Sequence, residues 1–283
     1  MMRFRNVSYL MALAMLVCCG TACPQPSADA PWKLAVRVMS YGKFQESAYA
    51  HMRSIGLKYV FIAAPMPADV DKTMAELKTY GLTPLVCRGN ADLSKDTFVS
   101  ELTPQLEACA KMGVNYCFLS AKRGETPLET AYARLRAAGD VAKAHGVTIT
   151  LETHPDMGTN GDIQVATMKA IDHPNIKVNF DTGNITYYNH DTTALAELKK
   201  SIEYVRTVEF KDHSAEFETW NFPVLGTGKV DFPEIVKLLR AHHYAGPVTI
   251  EFEGVKGVEL TEEQLKQAIA DSVAYVRSLG GFE

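Results

Sequence analysis

The sequence predicts an eight-stranded β/α barrel, and three observations carry the prediction. Short β-rich runs alternate with longer amphipathic runs eight times between Lys33 and Leu279. Those eight units share about 250 residues, the usual allowance for this fold. No Pro- or Gly-rich linker interrupts residues 32–283, so the stretch reads as one domain. A doubly wound open sheet is the competing architecture. It usually carries a Gly-rich turn after its first strand, whereas Met39-Ser40-Tyr41-Gly42-Lys43 offers a single glycine.

Ahead of the barrel, residues 1–22 have the layout of an export signal. Arg3 and Arg5 form a positive start, Tyr9 through Val17 form an apolar stretch too short to span a bilayer, and Gly20, Thr21 and Ala22 are small. Ala22 followed by Cys23 is similar to the processing site of a bacterial lipoprotein, with Gly20 where Leu or Val is usual. Ordinary secretion, after Ala22 or after Ala28-Asp29-Ala30, is the alternative, and a retained signal anchor is a third. The expectation is an exported protein, periplasmic or on the outer surface, anchored through a lipid on Cys23, with residues 23–31 as a linker. Removing residues 1–22 takes away Arg3 and Arg5 and no acid, which moves the net charge from -4 to -6.

The expected strands are Lys33–Met39, Lys58–Ile62, Thr83–Cys87, Asn115–Ser120, Val147–Glu152, Ile176–Asp181, Val205–Phe210 and Pro247–Phe252. Helix starts are legible between them. Thr126-Pro127-Leu128-Glu129 offers an N-cap, a proline at the first helical position and a capping-box acid. Asp231-Phe232-Pro233-Glu234 and Thr261-Glu262-Glu263-Gln264 repeat the pattern. Gly81, Gly113 and Gly146 stand where helices should end and hand over to strands.

Composition excludes several classes. Hydrophobic residues at 47% and charged residues at 22% are ordinary globular values, and the negative balance leaves no basic footprint for nucleic acid. Of the six cysteines, Cys18, Cys19 and Cys23 lie in the leader. Cys87, Cys109 and Cys117 lie in apolar surroundings without a C-x-x-C pair, and read as buried thiols or as one disulfide and a spare.

In a β/α barrel the chemistry gathers at the C-terminal ends of the strands. Side chains alternate along a strand, and in the last four strands one parity is apolar. The other parity gives Thr150/Glu152, Asn179/Asp181, Thr207/Glu209 and Thr249/Glu251. Four successive strands thus aim a carboxylate inward. A single acid at a strand end is commonly a helix cap or a solvated rim charge. Four packed in one barrel mouth repel each other and lose hydration. Something cationic must offset this. A hard divalent ion with oxygen ligands is the simplest candidate, Mn²⁺ or Mg²⁺ ahead of Zn²⁺, and Lys211 or Lys122 is the internal alternative.

Leu151-Glu152-Thr153-His154, Asn179-Phe180-Asp181-Thr182-Gly183-Asn184, Phe210-Lys211-Asp212, Leu225-Gly226-Thr227-Gly228-Lys229-Val230-Asp231-Phe232 and Ile250-Glu251-Phe252-Glu253 occur in that order. The series resembles the sugar phosphate isomerase/epimerase superfamily, the xylose isomerase-like TIM barrels, a group that also includes endonuclease IV-type DNA repair enzymes. The resemblance runs from Lys33 to Leu279 and is most specific in the second half. It implies a divalent ion held by Glu, Asp, His and Glu from strands five to eight. Glu152, Asp181 and Glu251 match three of these positions. Glu209 stands where the family often has His, so either Glu209 ligates or nearby His213 or His154 supplies a nitrogen.

The chemistry this implies is proton abstraction next to a carbonyl, with the metal polarising the substrate and Glu152 and Glu251 facing each other across it. One carboxylate takes the proton and the other returns it, giving epimerisation or aldose–ketose isomerisation. Loss of a β-substituent from the same enolate gives a lyase acting on a keto-glycoside. His154, Asn184, Lys211, His213 and Trp220 are the expected substrate contacts. The long segment from Asp212 to Val230, with Phe217, Trp220 and Phe222, either closes the site or packs down on the barrel. Gly226-x-Gly228 is either a phosphate cradle or a turn. An exported enzyme points to an unphosphorylated carbohydrate. A phosphodiesterase would need more His ligands and a basic groove. A non-catalytic sugar-binding lipoprotein is the remaining alternative.

Overall fold

A computed structural model describes residues 30–283, so the expected leader and Cys23 lie outside the described residues. Eight parallel strands close into a barrel: β1 (Leu34–Arg37), β2 (Tyr59–Ala63), β3 (Thr83–Arg88), β4 (Tyr116–Leu119), β5 (Thr148–Glu152), β6 (Ile176–Asp181), β7 (Val205–Phe210) and β9 (Val248–Ile250), with β9 returning to β1. The helices α1 (Ala48–Ser54), α2 (Val70–Thr79), α3 (Phe98–Lys111), α4 (Leu128–Ala144), α5 (Gly161–Ile171), α6 (Thr182–Tyr188), α7 (Ala194–Ser201), α8 (Phe232–Ala241) and α9 (Glu262–Ser278) follow the strands. No described helix is long and apolar enough to cross a membrane.

Local chemistry sets most boundaries. Asp231 caps α8 by accepting from the Glu234 amide, and Thr261 and Gln264 close a reciprocal capping box on α9. Gly81, Gly113 and Gly146 adopt φ of 65°, 72° and 68°, the left-handed conformation that ends a helix without a Cβ penalty. The start of α4 differs from expectation. Thr126 caps nothing: its hydroxyl donates to the Ser94 carbonyl at 3.3 Å, Pro127 stays extended, and the helix begins at Leu128. The first strand is also shorter than the expected Lys33–Met39, because the chain turns into a 3₁₀ segment at Val38–Ser47.

Alternation splits the apolar residues into two cores. Ile149, Leu151, Val178, Phe180, Val208, Phe210, Val248 and Ile250 face outward and join one large cluster with the helices. Inside the barrel, Phe61, Val86 and Phe118 make a separate cluster on the β2–β4 side. The β5–β9 side is polar in the interior, where Thr150, Asn179, Thr207 and Thr249 are all buried. Thr207 donates to Asn179 Oδ1 at 2.6 Å, which ties this layer together beneath the acids.

Cys87, Cys109 and Cys117 are buried free thiols, and Cys87 and Cys117 are direct partners across β3 and β4. The disulfide alternative is therefore not realised here. Beyond β7, the segment from Asp212 to Val230 is ordered by a small antiparallel ribbon, in which β8 (Asn221–Phe222) pairs with β10 (Gly254–Val255). The ribbon ties the loop after β7 to the loop after β9, and the Lys256 amide donates to the Trp220 carbonyl at 2.9 Å.

Candidate active site

The barrel register staggers the four acids and still brings them together. Glu152 is level with Asn179, Asp181 with Glu209, and Glu209 with Thr249. One carboxylate oxygen from each of Glu152, Asp181, Glu209 and Glu251 nonetheless lies within 4.8 Å of the others, a group that can hold a metal ion.

Each acid is held differently. Asp181 ends β6 and caps α6, its Oδ1 accepting from the Gly183 and Asn184 amides at 2.9 Å each. Gly183 is required there, because a Cβ would lie 2.9 Å from Lys211 Cγ. The second oxygen, Oδ2, is buried with no hydrogen-bond partner among the described residues, and both oxygens of Glu209 share that condition. Burial, only partly offset by Lys211, pushes the Asp181 carboxyl up to about 8. Burial and then the neighbouring Glu251 push Glu209 far up as well, against the pull of Arg37. Buried carboxylate oxygens that accept no hydrogen bond, in a group this close together, are the donor set a hard divalent cation needs, and such an ion would restore their ionised state. The residues present fit the ion.

Two internal cations sit among these acids. Lys211 Nζ lies 3.0 Å from Glu251 Oε2 and 3.8 Å from Asp181 Oδ2, pairs with Glu253, and donates to Asn184 Oδ1 at 3.1 Å. Arg37, at the end of β1, pairs with Glu251 and approaches Glu209 at 3.5 Å. Its guanidinium lies over the Phe61 and Phe118 rings, 5.3 and 4.9 Å from their centroids. Burial opposes the Glu251 charge, but Lys211 and Arg37 outweigh it and hold this carboxyl below its usual value. Arg37 was not legible as a site residue. The signal available was its inward parity with Ala35 in a strand otherwise made of Leu, Ala and Val.

Above the acids opens a cavity of about 390 Å³ lined on one side by Arg37, Arg88, Ser120 and Lys122 and on the other by Tyr187, Tyr188, Trp220 and Phe222. Glu152, His154, Asn184, Lys211, Glu251 and Glu253 complete it. Glu152 is half-buried and has no hydrogen-bond or ion-pair partner among the described residues, so its carboxylate is free to meet a ligand. Asn184 is oriented by donating to the Thr153 carbonyl at 3.0 Å. Trp220 is 41% exposed and meets Phe222 edge-on at 5.2 Å, presenting an aromatic wall of the kind that stacks on sugar faces.

The histidines are both engaged. His154 Nδ1 donates to the Pro155 carbonyl at 2.9 Å, and its Nε2 accepts from the Tyr188 hydroxyl at 2.9 Å. It lines the cavity and fixes Tyr188 in place, with no nitrogen left for a metal. His213, expected among the substrate contacts, is fully buried and does not line the cavity. Its Nδ1 accepts from the Thr186 hydroxyl at 2.7 Å and its Nε2 donates to the Thr219 carbonyl at 2.9 Å. It holds the loop behind Trp220 instead.

Gly226-x-Gly228 is a turn already filled by an internal anion. Asp212 Oδ2 accepts from the Gly226 and Gly228 amides at 2.8 and 2.9 Å, and Oδ1 accepts from His213 and Val230 at 2.9 and 3.2 Å. A Cβ at residue 228 would lie 2.2 Å from Asp212 Oδ1, so glycine is obligatory.

A family model described as a xylose isomerase-like TIM barrel matches residues 49–279. The chain belongs to that family. Among curated proteins, this xylose isomerase-like chain is 29% identical to the inosose dehydratase of Salmonella typhimurium over 135 residues, 42% of this chain and 44% of that one. It is 27% identical to the inosose dehydratase of Bacillus velezensis over 143 residues, 44% and 47% of the two chains. The match thus spans less than half the length of either relative. Among solved structures, D-psicose 3-epimerase from Clostridium cellulolyticum H10 superposes with a TM-score of 0.71 at 18% identity, covering 87% of this chain and 99% of that one. A xylose isomerase-like protein from Mycobacterium smegmatis, in complex with magnesium, gives 0.70 at 16% identity, covering 88% and 96%. Similarity at these identities establishes the fold.

Proposed function

We propose that this xylose isomerase-like protein is a divalent-metal-dependent enzyme of the sugar isomerase and epimerase type, acting on an unphosphorylated sugar or keto-sugar. The observation that carries the reading is the convergence of Glu152, Asp181, Glu209 and Glu251 beneath a sugar-sized cavity, with three buried carboxylate oxygens that accept no hydrogen bond among the described residues. Mn²⁺ or Mg²⁺ is the ion the all-oxygen donor set suits. When bound, it supplies polarisation of a substrate carbonyl or hydroxyl.

The residues of the chain do the rest. Glu152, without a partner of its own, removes the proton from the carbon beside the carbonyl. The electron pair of that C–H bond moves into the carbon–carbon bond and the carbonyl oxygen. Glu251, ionised between Lys211 and Arg37, faces the other side, where it takes a proton from water and delivers it there or to the adjacent carbon, the proton on Glu152 returning to the hydroxide. The first outcome is an epimer and the second an isomer. Asn184 and Lys211 are placed to hold hydroxyls, and Trp220 and Phe222 to cover the ring and limit water. The export expected from the leader, with anchoring at Cys23, supports the unphosphorylated substrate.

The inosose dehydratase relatives favour a second outcome from the same step. A hydroxyl on the carbon next to the enolate leaves with a proton as water, or an aglycone leaves in its place, and the enzyme is a lyase. Glu152→Gln and Glu251→Gln are the test, since Gln keeps the shape and removes the proton transfer. Turnover of sugars and keto-glycosides should fall by about three orders of magnitude in each with sugar binding retained. Unchanged turnover in either variant overturns the assignment.

A further inference from the structure

We infer that the substrate carries an oxyanion, and that Arg88 and Lys122 on the β3–β4 wall of the cavity receive it. The inference rests on the reading above and narrows its substrate class.

Arg88 ends β3, two residues beyond Val86 of the interior cluster, and lines the cavity half-buried. Its Nε is buried without a hydrogen-bond partner among the described residues, and no carboxylate there comes within ion-pair distance of its side chain. Lys122 stands two residues beyond Ser120 on the same wall, likewise without an ion pair among the described residues. The contrast with Arg37 and Lys211 is sharp, since each of those is paired with more than one carboxylate. In barrel order, β3 lies four strands from β7, so Arg88 faces the cavity from the side opposite Glu209.

Charge balance points the same way. Glu152, Asp181, Glu209, Glu251 and Glu253 set five carboxylates against the four cations Arg37, Arg88, Lys122 and Lys211. A divalent ion on the acids would leave the site one charge positive, with the excess at Arg88 and Lys122. Arg88 is half-buried, with its Nε shut off from water and unpartnered, and its planar fork matches an oxyanion with two parallel hydrogen bonds. A neutral sugar offers hydroxyl and carbonyl acceptors but leaves the surplus charge unbalanced. On the unphosphorylated reading the oxyanion is a carboxylate, as in a uronic or keto-sugar acid. A sugar phosphate presents the same chemistry.

The experiment is calorimetric titration of the full chain in saturating Mg²⁺ with matched sets in the gluco, galacto and manno series: hexose, hexuronate and hexose 6-phosphate. An anionic member should bind at least about tenfold tighter than its hexose. Arg88→Gln and Lys122→Gln should each weaken the anionic member by more than the hexose and so remove most of that preference, and Arg88→Lys should retain part of it. Preference for the uronate identifies a carboxylate, and preference for the 6-phosphate identifies a phosphate. Equal affinity for hexose and anion across all series, or equal weakening of both in Arg88→Gln, overturns the inference. Hydrogen–deuterium exchange at sugar C–H positions, followed in parallel, separates the two levels. Exchange in neutral sugars that ignores Arg88→Gln leaves the reaction standing without the oxyanion. Arg88-dependent uronate binding with no exchange does the reverse.

Discussion

Lys211 Nζ lies 3.0 Å from Glu251 Oε2 in a place where burial disfavours both charges. Each stays charged because the other is there: attraction to Glu251, Asp181 and Glu253 overcomes the burial of Lys211 and raises its affinity for its proton. Glu251 is held ionised in return. Such a pair adds little net stability over an apolar substitute, but breaking it strands a buried charge.

Lys211→Met therefore leaves Arg37 as the only ion-pair partner of Glu251 among the described residues and takes away the ion-pair partner of Glu253. The expected loss is about 3 kcal/mol, read as a fall of several degrees in the thermal midpoint. An unchanged midpoint would mean the ammonium is dispensable to the acid cluster.

Arg37→Met tests how the second cation shares the site with a metal. The variant removes one of the two ion-pair partners of Glu251 and the ion-pair partner of Glu209 while keeping an apolar stem over Phe61 and Phe118. Without metal it should lose about 3–5 kcal/mol. Saturating Mg²⁺ or Mn²⁺ should then raise its midpoint by more than that of the wild type, since a bound ligand stabilises by about 2.7 kcal/mol at a hundred times Kd and a competing cation has gone. Equal shifts in the two proteins would place the ion away from Glu209 and Glu251.

His213 makes the loop over the cavity sensitive to acid. Burial lowers its proton affinity below the usual value, more than the Thr219 carbonyl restores it. Just below the ordinary histidine pKa the unfolded chain binds a proton that the folded loop refuses. Stability of the loop is therefore full at neutral pH and declines as pH falls below about 6.5. Protonated Nδ1 can no longer accept from Thr186 and the Ala215 amide. Trp220 fluorescence should change between about pH 6.5 and 5, and His213→Gln should flatten that change. Persistence of the transition in the variant would assign it to another group.

What was legible in the sequence follows from periodicity. A period of two along β5, β6, β7 and β9 separates outward Leu, Val, Ile and Phe from inward Thr, Asn and acids, so the strand positions of the four carboxylates could be read directly. Two of the three helix starts singled out hold for the same reason, being short-range hydrogen bonds between neighbours. Thr126 fails because its hydroxyl finds Ser94, 32 residues away, a partner no local pattern encodes. Arg37 and Arg88 were missed on similar grounds. Each is a lone cation at a strand end, and only closure of the barrel brings Arg37 among acids from the other half and sets Arg88 across the cavity from them. His213 lies near enough to Glu209 in sequence to be read as a substitute for the family's His, and its bonds to Thr186 and Thr219 bury it behind the loop instead.

Solvent exchange tests the central claim most directly. The protein, stripped of metal and reloaded with Mg²⁺, is incubated in D₂O with neutral sugars, uronates and 3-keto-glycosides, and the C–H signals are followed by NMR. Metal-dependent deuterium incorporation at a carbon beside a carbonyl, lost in Glu152→Gln, is the predicted result. Sugar binding with no exchange in any metal state would contradict it and make this barrel a carbohydrate-binding protein.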